Sequence, residues 1–108
     1  MTKFVIDPAP QVCLPIRGSN ESFPVRRIYC IGRNYADHAI EMGHDPNKEP
    51  PFFFQKNAQN VDTSGTFPYP PQTSDVHHEM ELVVALKSGG ADISLENALE
   101  HVYGYGLG

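Results

Sequence analysis

The run Leu82-Val83-Val84-Ala85-Leu86 limits more than any other what this chain can fold into. Its length and β-branched content are those of a strand with both faces buried. The chain reaches it through His77-His78-Glu79-Met80-Glu81. Side chains alternate along a strand, so Glu79 and Glu81 are expected on one face and Met80 on the other. Their Cα atoms would lie about 6.7 Å apart. Two carboxylates leading side by side into a buried strand repel each other and resist desolvation. A divalent cation between them removes both problems, and oxygen-only ligation favours Mg²⁺, Mn²⁺ or Ca²⁺ over Zn²⁺. The alternative is an exposed strand end, where water solvates both groups.

The rest of the composition narrows the function classes. A net charge of −5 argues against a nucleic-acid partner, because phosphate recognition needs excess Lys and Arg. With 40% hydrophobic and 19% charged residues, 108 residues make one small globular domain with a limited core. No apolar run approaches the roughly 18 residues of a membrane span, and Met1 to Pro8 lacks a signal-peptide core, so the expected location is cytoplasmic. Cys13 and Cys30 have no metal-ligand spacing. Val102 to Gly108 reads as a strand or the start of one, so the chain is expected to be the N-terminal piece of a longer protein.

Residues 1–25 carry four of the ten prolines and are expected to be an N-terminal extension; 26–108 form the chemical part. Phe4-Val5-Ile6 and Val12-Cys13-Leu14 are candidate short strands. Arg27 to Ile31 is a strand ended by Gly32. Asn34 as N-cap and Gly43 past the end frame a short helix with Tyr35, Ala39 and Met42 as its apolar stripe. His38 and Glu41, three apart, can meet on one flank. A carboxylate orients an imidazole for general-base work, whereas an ordinary solvated pair contributes only about 0.2–0.5 kcal/mol. Residues 44–51 are a polar, proline-rich loop. Phe52 to Lys56 is a buried aromatic strand; Lys56 either snorkels to water or reaches into a cleft to hold a carboxylate or oxyanion. Ser94 to His101 is a helix with Leu95, Ala98, Leu99 and Val102 on the face that packs on the sheet.

Three segments together resemble the fumarylacetoacetate hydrolase family: IYCIGRNYADHAIEMG, the aromatic strand ending in Lys56, and HHEMELVVAL followed by ALEHVYGYGLG. The resemblance covers roughly residues 26–108. It implies an α+β, mainly β fold, a mixed β-roll or sandwich of that family's type, truncated here. It also implies one divalent metal (Mg²⁺, or Mn²⁺ or Ca²⁺), a homodimer, and a small 2-oxo or diketo acid as substrate. Glu79 and Glu81 match the glutamate ligands, and His38 and Glu41 match the water-activating pair on a lid helix. Lys56 matches a catalytic lysine facing the site; Arg33 and Tyr35 are the substrate-binding candidates. The implied reaction is hydrolysis of a C–C bond in an acylpyruvate such as fumarylpyruvate, with 2-oxo acid decarboxylation or tautomerisation on the same scaffold as the alternative. A non-catalytic fragment lacking a complete metal site is the third option.

Two departures stand out. Many relatives carry proline directly after the lysine, where this chain has Asn57. The family's third ligand, an aspartate, comes beyond the segment that ends here at Gly108.

Overall fold

The computed structural model describes residues 1–33 and 50–108. The helix expected over 34–43, with Tyr35, His38 and Glu41, lies outside the described residues. Residues Met1–Phe67 and Pro68–Gly108 form two separate units.

In the first unit, β1 (Cys13–Pro15) pairs antiparallel with β2 (Ser22–Pro24), with Leu14 opposite Phe23. Gly18, at φ 77°, supplies the left-handed turn between them. The pairing runs on through Val25, whose N–H donates to the Val12 carbonyl at 2.8 Å. The Gln11 side-chain amide donates to the carbonyls of both Val12 (2.9 Å) and Val25 (3.0 Å), tying the two chains together. Val25 is the one buried residue among those described. Phe4-Val5-Ile6 forms no strand, and all three side chains are exposed.

β3 (Ile28–Gly32) and β4 (Phe52–Lys56) form the second antiparallel pair, in register from Ile28 opposite Lys56 to Gly32 opposite Phe52. One face therefore carries Ile28, Cys30, Gly32, Phe52, Phe54 and Lys56, and the other carries Tyr29, Ile31, Phe53 and Gln55. β4 was expected to be buried, yet every one of its side chains is exposed. A two-stranded ribbon has two faces to cover, and among the described residues no second layer covers these. Beyond β4, Ala58–Asn60 makes one 3-10 turn, and Gly65 at φ 82° turns the chain again. There Ser64 holds the Asp62 carboxyl below its ordinary value, through its side chain first and then its backbone N–H.

In the second unit, β5 (Leu82–Leu86) pairs antiparallel with β6 (Val102–Leu107). The register runs from Leu82 opposite Leu107 to Ala85 opposite Gly104, then slips by one at Leu86. β5 was expected to be buried on both faces; instead Leu82, Val84 and Leu86 are exposed while Val83 and Ala85 are half-buried. The segment before β6 is helical as expected, but it is a 3-10 helix, Leu95–His101. Three residues per turn align Leu95, Ala98 and His101, which breaks up the predicted Leu95/Ala98/Leu99/Val102 stripe. Leu95 and Leu99 accordingly stand in solvent. Ser94 occupies the N-cap position without making a side-chain cap. The far end is better anchored: Lys87 N–H donates to the His101 carbonyl at 2.9 Å, and Ser88 Oγ lies 2.8 Å from His101 Nδ1.

The architecture of the described residues is thus mainly β, three antiparallel pairs with two 3-10 segments. No helix among them is long and apolar enough to cross a membrane.

Candidate functional site

The acidic candidates, Glu79 and Glu81, sit at the mouth of the β5–β6 pair in the second unit. Glu81 extends the ladder by one step: its N–H donates to the Gly108 carbonyl at 2.6 Å and its carbonyl accepts from Gly108 N–H at 3.0 Å. Glu79 lies three residues before β5, so strand alternation does not fix its side chain beside that of Glu81 as the sequence suggested. Both glutamates are exposed, and neither carboxylate bonds to another described side chain. Upstream, His77 Nε2 lies 2.8 Å from Asp75 Oδ1, both side chains exposed.

The register places Glu81, Val83 and Ala85 opposite Gly108, Gly106 and Gly104, so all six share one face. On the β6 side that face has no side chains. A Cβ built at Gly104 would meet nothing within 4 Å, and one at Gly106 only Val83 Cβ at 3.9 Å. The period-two glycine pattern was visible in the sequence, but its meaning needed the register: it leaves open space at Gly104 and Gly106, whereas a Cβ at Gly108, opposite Glu81, would meet Val83 Cγ2 at 3.0 Å.

The basic candidates, Arg33 and Lys56, belong to the first unit. Lys56 closes β4 opposite Ile28 and lines a cleft of about 490 Å³. Arg26, Arg27, Gln55 and Gln59 line it too, and among the described residues no carboxylate does. Arg33 stands at the other end of the same hairpin, directly after Gly32, with a left-handed backbone at φ 60°. Its guanidinium carbon lies 5.2 Å from the centre of the Phe52 ring. Lys56 and the Gly32–Arg33 corner are separated by four ladder steps, about 13 Å. Sequence reasoning overlooked Phe52 as more than an apolar strand residue. It sits directly opposite Gly32 and stacks on Phe54 at 5.8 Å between ring centres.

A divalent metal fits the chemistry of Glu79 and Glu81, since two carboxylates without a side-chain partner among the described residues offer only hard oxygen donors. They form part of a shell only: among the described residues no three His, Cys, Asp or Glu side chains come together. Tyr35, His38 and Glu41 lie outside the described residues.

The family model for the fumarylacetoacetate (FAA) hydrolase C-terminal domain matches residues 27–108. The chain belongs to the fumarylacetoacetate hydrolase family. Among solved structures, it resembles fumarylpyruvate hydrolase from Pseudomonas aeruginosa in complex with Mn²⁺ and pyruvate, with a TM-score of 0.89 and 52% identity. That match covers 97% of this chain and 47% of the other. Among curated relatives, the mitochondrial oxaloacetate decarboxylase of Dictyostelium discoideum is 44% identical over 76% of this chain and 38% of its own length. Oxaloacetate tautomerase YisK of Bacillus subtilis is 41% identical over 76% of this chain and 28% of its own. This family member therefore spans less than half the length of the relatives it matches.

Proposed function

We propose that the protein is a divalent-metal-dependent hydrolase that cleaves a C–C bond in an acylpyruvate of the fumarylpyruvate type. The observation that carries this is the 52% identity, at a TM-score of 0.89, to a fumarylpyruvate hydrolase holding Mn²⁺ and pyruvate. In this reading residues 26–108 contribute two strand pairs, β3–β4 and β5–β6, to a mixed β-roll, residues 1–25 with the β1–β2 pair are an extension, and the active unit is a cytoplasmic homodimer.

Glu79 and Glu81 would hold the cation, Mg²⁺, Mn²⁺ or Ca²⁺. When bound, it supplies a Lewis acid at the 2-oxo acid end of the substrate. His38, oriented by Glu41, takes a proton from water, and the resulting hydroxide adds to the acyl carbonyl. The bond between that carbon and the methylene breaks, its electron pair leaving with pyruvate as the enolate, which a proton then quenches. Lys56, Arg33 and Tyr35 bind the anionic groups; the cleft around Lys56, lined by Arg26 and Arg27 and by no carboxylate among the described residues, suits a carboxylate ligand in a chain of net charge −5.

A second reading, oxaloacetate decarboxylation or tautomerisation, is favoured by the 44% and 41% identities to enzymes of those names. Product analysis separates them. The protein is incubated with Mn²⁺ and either fumarylpyruvate or oxaloacetate and followed by NMR. Fumarate and pyruvate in equal amounts support hydrolysis. Pyruvate from oxaloacetate alone, or only keto–enol exchange, replaces that reading with the second.

A further inference from the structure

Arg33 pays for its position with an uncommon backbone. A non-glycine residue at φ 60° is strained, and such residues cluster where function needs a side chain aimed. The left-handed turn takes Arg33 out of β3 directly after Gly32 and leaves its guanidinium 5.2 Å from the Phe52 ring centre. That is within the distance at which a cation is attracted to a ring face.

The ring is packed on one side, although Phe52 as a whole stays 46% exposed. It lies over Gly32 so closely that a Cβ there would fall on Phe52 Cζ and Cε1 and come within 3.0 Å of Cε2. On its own strand it stacks on Phe54, with planes 27° apart. Gly32 thus leaves the space that the ring occupies, Phe54 limits its rotation, and the ring lies beside the guanidinium.

We propose that Phe52 is a positioning residue for Arg33: its ring, seated over Gly32, pre-orients the guanidinium that binds a carboxylate of the substrate. This rests on the assignment of Arg33 to substrate binding made above. Phe52 does not touch the reacting atoms in this account; it lowers the ordering cost of the Arg33 side chain when an anion binds.

The test compares Arg33→Ala, Phe52→Leu, Phe52→Tyr and the Arg33→Ala/Phe52→Leu double variant in the protein as its gene encodes it. The readouts are KM for fumarylpyruvate, the inhibition constant for pyruvate, kcat, Mn²⁺ affinity and thermal unfolding. Arg33→Ala should raise KM by about tenfold or more. Phe52→Leu should raise it about threefold, with kcat and Mn²⁺ affinity unchanged, and Phe52→Tyr, which keeps the ring face, should behave as the parent. In the Arg33→Ala background, Phe52→Leu should add nothing to KM. If Arg33→Ala raises KM while Phe52→Leu leaves it alone, or adds its full effect without Arg33, the positioning role is overturned and the assignment of Arg33 stands. If Arg33→Ala leaves KM unchanged, that assignment fails and the proposal goes with it. Should Phe52→Leu not fold, pentafluorophenylalanine at position 52 keeps the ring's shape and reverses its quadrupole. The same threefold rise supports the proposal, and parental KM overturns it.

Discussion

The β3–β4 and β5–β6 hairpins are built alike and finished differently. Both are antiparallel pairs of apolar strands, and both leave most of their large side chains exposed. On β3–β4 one face is filled with Phe52 and Phe54, and its ends carry the cations Arg33 and Lys56. On β5–β6 the glycines leave open space at Gly104 and Gly106, while at Gly108, opposite Glu81, the Val83 methyl fills it to within 3.0 Å of where a Cβ would stand; the charge at the mouth is carboxylate. Rings hold a neighbouring cation in place, whereas a glycine row lets something come close to the backbone. The same secondary structure thus supports two kinds of chemistry, one suited to binding anions and one to binding a metal.

The largest effect expected concerns what both hairpins lack. With Val25 alone buried among the described residues, residues 1–108 expressed by themselves should show no cooperative unfolding, bind Mn²⁺ weakly and turn over no acylpyruvate. A monomeric 1–108 that melts cooperatively and hydrolyses substrate would falsify the view that the activity needs a chain of the relatives' length. Next, in the protein as its gene encodes it, Glu79→Gln and Glu81→Gln should each abolish turnover and weaken Mn²⁺ binding in a calorimetric titration. Parental Mn²⁺ affinity in both variants would remove the metal from the β5–β6 hairpin and erase half of the contrast. His38→Ala should lower kcat by about 10²–10⁴ with Mn²⁺ affinity nearly unchanged. An equal loss of both would mean that His38 supports the fold and moves no proton.

These contrasts were legible to different degrees in the amino-acid sequence. Strand positions were the clearest: an apolar run such as Leu82 to Leu86 or Phe52 to Phe54 fixes an extended segment, and both appear within a residue of expectation. Burial was misread, because a run apolar on both faces says what a strand needs and not which residues supply the cover. The 3-10 form of Leu95–His101 was invisible too. Its last residue, His101, is bonded to Lys87 and Ser88, contacts between segments that periodicity does not see. Of the site, the residue types at Glu79, Glu81, Lys56 and Arg33 could be picked out one at a time. The seating of Phe52 over Gly32 needed the β3–β4 register, since twenty residues separate them in the chain.

The smallest effects test the glycines directly, one on each hairpin. Gly32→Ala puts a methyl group where the Phe52 ring lies, so the ring must leave its stack on Phe54 or the strands must part. Overpacking of this kind costs about 1–3 kcal/mol, which should show as a lower Tm. Gly104→Ala meets nothing within 4 Å, and its φ is not in the left-handed region. Alanine there restricts the unfolded chain more than the folded one and should stabilise by about 0.4–1 kcal/mol. The two substitutions add the same single methyl group at similar strand positions, so their opposite signs in thermal unfolding measure the difference between a filled face and a cleared one. A matching loss of stability in both would mean that the face beside Glu81 is already occupied in the folded protein, and that its glycines serve packing.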